Sequence, residues 1–60
     1  MTDSVDVFRV DTRGVRWLES AATFECAKVR VKELALESPG EYMVLDQRTG
    51  NRHVIKIQGM

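Results

Sequence analysis

Sixty residues with nine basic and nine acidic side chains describe one small domain of zero net charge. A domain of this size buries only about 60% of the surface its unfolded chain exposes, so its stability is marginal. One cysteine excludes an intramolecular disulfide and, with a single histidine, leaves no zinc-ligand set, so self-association is the stabilising route left open.

Residues 1–4 read as a short frayed tail. Val5–Val10 (VDVFRV) is β-branched and aromatic, and it reads as a strand. Asp11-Thr12-Arg13-Gly14 has turn chemistry, and Val15–Glu19 (VRWLE) reads as the returning strand of a first hairpin. Thr23 is the preferred N-cap of a helix running to Glu37, because its hydroxyl can accept from a free amide of the first turn. Ser38 precedes Pro39 and is pushed out of the helical region, which stops the helix there. Pro39-Gly40 is a turn. Glu41–Asp46 and Arg52–Ile57 form a second hairpin around Gln47–Asn51, with Gly50 at a left-handed position. The two turns, VDTRG and LDQRTG, share their chemistry.

The expected fold is α+β over residues 1–60. Its element order is ββαββ, with a four-stranded, mainly antiparallel sheet and one helix packed on one face. The order of the strands in the sheet is open. The link from the second strand through the helix to the third follows the right-handed crossover rule if those strands run the same way.

At 100° per residue, Phe24, Ala27, Val31, Leu34 and Ala35 share one helical stripe and form the core-facing side. Cys26, Val29 and Leu36 form a minor second stripe of scattered surface residues. On the strands, period two groups Phe8 with Val10, Val15 with Trp17, Tyr42 with Val44, and Ile55 with Ile57. These are the larger and more aromatic sets, and they are assigned to the face under the helix. A bulge in either hairpin would shift this parity. The other face then carries Val5, Val7 and Arg9, Arg16 and Leu18, Glu41, Met43 and Leu45, and Arg52, Val54 and Lys56. It has an apolar middle and four basic residues against one acidic. Such a patch on a soluble monomer marks a contact site.

No catalytic constellation is present. His53 lies on a strand facing the core and reads as a half-buried structural residue, since no nucleophile is placed beside it. Cys26 lies near a helix N-terminus, where thiols gain reactivity. It reads instead as a small space-filling residue. No phosphate loop, metal spacing or CxxC occurs, so no cofactor, metal or small-molecule substrate is indicated. The lone cysteine fits a reducing compartment. No apolar leader segment opens the chain, and no run approaches the roughly 20 apolar residues that span a bilayer, so a cytoplasmic location without membrane contact is expected.

Gly14–Trp17 (GVRW), the helix TFECAKVRVKELA and Pro39–Gly50 (PGEYMVLDQRTG) resemble short uncharacterised bacterial proteins built as hairpin, helix, hairpin. The resemblance runs from Val7 to Ile57. Members carry an acidic residue where Cys26 stands. It implies the ββαββ order and brings no activity, ligand or site residue.

The functional expectation is a non-enzymatic interaction module that forms a homodimer through the open sheet face. Val7, Leu18, Met43, Leu45 and Val54 are its expected interface core, with Arg9, Arg16, Arg52 and Lys56 at the rim. The alternative is a nucleic-acid-binding module that uses those same four basic residues. A small enzyme is a distant third, because the residues it needs are missing.

Overall fold

The computed structural model describes residues 4–58. Of the expected tail at residues 1–4, residues 1–3 lie outside the described residues. Five elements follow in chain order: β1 (Val5–Asp11), β2 (Gly14–Ala21), α1 (Phe24–Glu37), β3 (Gly40–Asp46) and β4 (Arg52–Ile57). The fold is α+β with the order ββαββ. The strands form one open, fully antiparallel sheet in the order β2-β1-β3-β4. β2 and β3 therefore run the same way with β1 between them, and α1 is the crossover that joins them.

The local chemistry acts at each boundary. The Cys26 amide donates to Thr23 Oγ1 at 3.1 Å, which caps the first turn of α1. Ser38 closes the helix, its amide donating to the Leu34 carbonyl at 2.9 Å. Both hairpin turns open with an aspartate that accepts from an amide two residues on, Arg13 onto Asp11 at 2.9 Å and Arg48 onto Asp46 at 3.0 Å. Gly50 has φ +79° in the second turn, a left-handed position that favours glycine.

The core lies between α1 and the sheet. Ala27, Val31 and Ala35 of the helix meet Val5, Val7, Tyr42 and Val44, with Phe24, Leu34, Leu18, Ile55 and Ile57 packed around them. The expected helical stripe and the inward sets of β3 and β4 are as read from the sequence. The first hairpin is not. Val7 is fully buried, whereas Val15 and Trp17 are 57% and 56% exposed. β1 presents Val5, Val7 and Arg9 to the helix and turns Phe8 and Val10 away. β2 presents Leu18 and Arg16 to the helix and turns Trp17 and Val15 away.

The ladder slips between Val7–Glu19 and Phe8–Trp17, so Leu18 is an extra residue on β2. This bulge keeps Phe8 with Trp17 and Val10 with Val15 on one face and moves only Glu19 to the helix side. The inversion itself follows from helix packing: α1 carries alanine at two of its three buried positions. That narrow contact lets the helix lie close to the sheet, over valines rather than over an indole.

Arg9 is accommodated beneath the helix because it finds partners there. Its guanidinium donates to the Ser38 carbonyl at 2.7 Å, the Tyr42 hydroxyl at 2.8 Å and the Pro39 carbonyl at 3.1 Å. It also lies over the Tyr42 ring, 4.9 Å from the centroid. The Tyr42 hydroxyl donates in turn to the Ser38 carbonyl at 2.6 Å. The last turn of α1 holds no basic residue, so Arg9 brings the positive charge that its carbonyl end favours. Gly40 leaves room for this clamp: a Cβ there would stand 2.6 Å from Arg9 Nη2.

Val7→Ala should cost about 2 kcal/mol, a large share of the roughly 3–9 kcal/mol expected for a domain of this length. Val15→Ala should cost under about 0.5 kcal/mol. Urea unfolding at high dilution measures both, and equal losses would contradict this placement. Gly40→Ala should destabilise the wild type more than it destabilises an Arg9→Met chain. A double-mutant cycle should give a coupling of about 0.5 kcal/mol or more.

Candidate functional site: the open sheet face

With α1 on one side, the other side of the sheet has no covering element among the described residues. Directly paired residues share a face, so the register gives its composition. Its central row is Trp17, Phe8, Met43 and Val54, running across all four strands without a polar residue. One flanking row is Val15, Val10, Glu41 and Lys56. The other is Ser20, Asp6, Leu45 and Arg52. Trp17, Val15 and Val54 are exposed, and Phe8, Val10, Met43 and Leu45 are half-buried by their neighbours.

Of the nine residues expected at this surface, five lie on it: Met43, Leu45, Arg52, Val54 and Lys56. Four do not. Val7 is core and Leu18 packs against the core. Arg9 is held in the clamp at the helix end. Arg16 lies on the helix side with Leu18, Leu34 and Glu37 around a shallow hollow. Their places are taken by Phe8, Val10, Val15 and Trp17. The exchange alters the chemistry of the face. It loses two arginines, gains two aromatic rings, and carries two basic residues against two acidic.

Asp6, which carries no role in the sequence pattern, is the polar centre of this surface. It is 8% exposed, although its strand position faces away from the helix. Oδ1 accepts from Ser20 Oγ at 2.7 Å and from Trp17 Nε1 at 3.4 Å. Oδ2 accepts from Gln47 Nε2. All three donors are neutral. Their hydrogen bonds, Ser20 first, hold the Asp6 carboxyl below its ordinary range against the opposing pull of burial. The only sequence sign of this arrangement is an aspartate in mid-strand with apolar neighbours.

On the helix side, Glu19 accepts from Arg30 through two bonds of 2.7 and 3.0 Å, which ties β2 to α1. The Arg30 hydrogen bonds hold the Glu19 carboxyl down. His53 lies on the helix-facing side of β4, its ring 4.6 Å from that of Phe24. It is a packing contact, and the side chain is exposed rather than half-buried. Cys26 is also exposed and fills no space in the core. Val29 and Leu36 are 55% and 85% exposed on the outer side of α1. Among the described residues, no group of three or more histidine, cysteine or acidic side chains could hold a metal, and no helix is long and apolar enough to cross a membrane.

No family model, curated protein or solved structure matches this chain.

The lowered Asp6 carboxyl predicts an acid-sensitive fold. Unfolded, the group titrates near 3.9; folded, it binds its proton less tightly. Its contribution is therefore complete above the unfolded value and is lost as pH falls through the folded one. Glu19 acts in the same direction. Asp6→Asn should lower stability at pH 7 and flatten the acid limb of the stability curve, measured by urea unfolding between pH 7 and pH 2. An acid limb as steep as that of the wild type would contradict this role for Asp6.

Proposed function

We propose that this chain is a non-enzymatic interaction module that self-associates through its open sheet face. The observation that carries the reading is the unbroken apolar row Trp17-Phe8-Met43-Val54 on a face of balanced charge. An apolar patch of this kind favours a protein surface over water. A face with as many acidic as basic residues suits a copy of itself better than a polyanion. Asp6 is no obstacle to covering the face, because both its oxygens are already bonded and little water remains on it.

The sheet edges are less suited to pairing. β4 carries Arg52 and Lys56 along its length, and β2 is broken by its bulge. Both features discourage strand addition. With the six residues of β4 taken as the shared strand length, the four strands present a footprint of roughly 20 by 19 Å, or about 400 Å² per copy. That falls in the weak or transient class of interfaces. A dissociation constant between about 1 μM and 1 mM is therefore expected.

The second reading, a nucleic-acid platform, rests on one observation: Phe8 and Trp17 are direct cross-strand partners on the open face. Adjacent rings of this sort stack on bases in single-strand binders. The reading loses Arg9 and Arg16, and it keeps only Arg52 and Lys56 on one edge strand. The ββαββ order suits the proposed kinship with short bacterial hairpin–helix–hairpin proteins.

Sedimentation velocity across that concentration range should show the mass rising from one chain toward two. Val54→Asp should weaken the association at least tenfold while leaving the melting temperature of the dilute protein nearly unchanged, because Val54 is 61% exposed. A strict monomer at 1 mM would sink the proposal. A monomer that bound oligonucleotides at low salt, losing affinity as salt rises, would favour the second reading instead.

A further inference from the structure

Two sheets packed face to face in the aligned manner keep their strands within about 30° of one another. Two copies of this face can meet in that manner about either of two in-plane two-fold axes. If the axis runs across the strands, along the apolar row, each strand lies over its own counterpart. Lys56 then stands over Arg52 of the second copy, twice per dimer, and Trp17 over Trp17. If the axis runs parallel to the strands, between β1 and β3, then β2 covers β4 and β1 covers β3. Trp17 then meets Val54, Phe8 meets Met43, and Lys56 and Arg52 meet Val15 and Ser20.

We infer that the dimer uses the strand-parallel axis, with Trp17 of each copy seated against Val54 of the other. This rests on the self-association proposed above and names its geometry. Charge favours this axis. Both basic residues of the face belong to β4. Laying β4 on β4 opposes them, and like charges brought face to face disfavour an interface. Laying β4 on β2 places them over Val15, Trp17 and Ser20, a column with no charge on this side.

Side-chain volume favours it as well. Packed sheets stand about 10 Å apart and fill the gap by interdigitation. Trp17 is the largest side chain on the face and Val54, at the opposite edge of the same row, is much smaller. Setting indole against valine at both edges keeps the gap even. Setting indole on indole at one edge and valine on valine at the other wedges it open. Phe8 against Met43 fits the same rule, because a flexible thioether adapts to a ring.

The test uses full chains with Cys26→Ser, which removes the single native thiol. Lys56→Cys chains are mixed with Val15→Cys chains or with Arg52→Cys chains, one member of each pair carrying a tag. A bismaleimide of about 10 Å reach, the spacing of packed sheets, is then added. The expected result is a cross-linked heterodimer from Lys56→Cys with Val15→Cys and none from Lys56→Cys with Arg52→Cys. In the proposed arrangement the two β4 strands lie about 14 Å apart laterally, which puts the second pair out of reach. The reverse pattern, or no cross-link from a chain that sediments as a dimer, would overturn the axis and leave self-association standing. Chains monomeric at every concentration would overturn self-association itself.

Discussion

The ladder between β1 and β2 slips by one residue at Leu18, and the character of both sheet faces depends on that slip. Before it, Glu19 and Ala21 pair with Val7 and Val5 and face the helix. After it, Arg16 pairs with Arg9 on the helix side, while Trp17 and Val15 pair with Phe8 and Val10 on the other. Without the extra residue, Glu19 and Trp17 would share a face. Either the Glu19–Arg30 tie to the helix or the exposure of Trp17 would then be lost. The bulge allows one strand to latch the helix and also to supply the largest apolar group of the opposite surface.

Ahead of the turn aspartate, β1 sets Arg9 on one face and Asp6 on the other, and each is resolved differently. Arg9, on the helix side, reaches past the core to the end of α1 and bonds two carbonyls and a phenol. Asp6, on the open side, stays where it is and draws neutral donors from β2 and from the second turn. Arg9 ties the sheet to the helix end. The aspartate ties together three segments of the open face and orients the Trp17 ring through its indole N–H. A charge kept in each layer fixes the register, because moving either strand by one residue would leave it without partners.

Elements governed by neighbouring residues were legible in the sequence. Thr23, Ser38-Pro39, Asp11, Asp46 and Gly50 set their boundaries through bonds to residues within a few positions. The parity of the second hairpin was legible too, since Glu41, Arg52 and Lys56 all fall on one face and mark it. VDVFRV offers no such mark: each face receives two apolar residues and one charged. Side-chain size then pointed the wrong way, because the helix above is lined with alanines and leaves no depth for an indole. A bulge leaves little trace in sequence; its energy lies in long-range pairing. Glu19 gave no warning: it shares strand parity with Val15 and Trp17 yet faces the helix and Arg30, and only the bulge separates it from them.

The exchange of residues between faces bears on what kind of partner the surface suits. With Arg9 and Arg16 on it, the face would resemble a basic patch with an apolar centre, open to phosphate. With Phe8 and Trp17 in their place, it is neutral overall, and both its basic residues stand along one edge. Counterion release, the main source of affinity for nucleic acid, scales with the number of phosphates neutralised, so two cations on one edge supply little of it. Burial of an apolar row needs no such count. It needs a second surface of matching shape that does not oppose Arg52 and Lys56. The β2 edge of another copy meets both conditions: uncharged on this side, with its bulk concentrated at Trp17 where β4 offers only Val54.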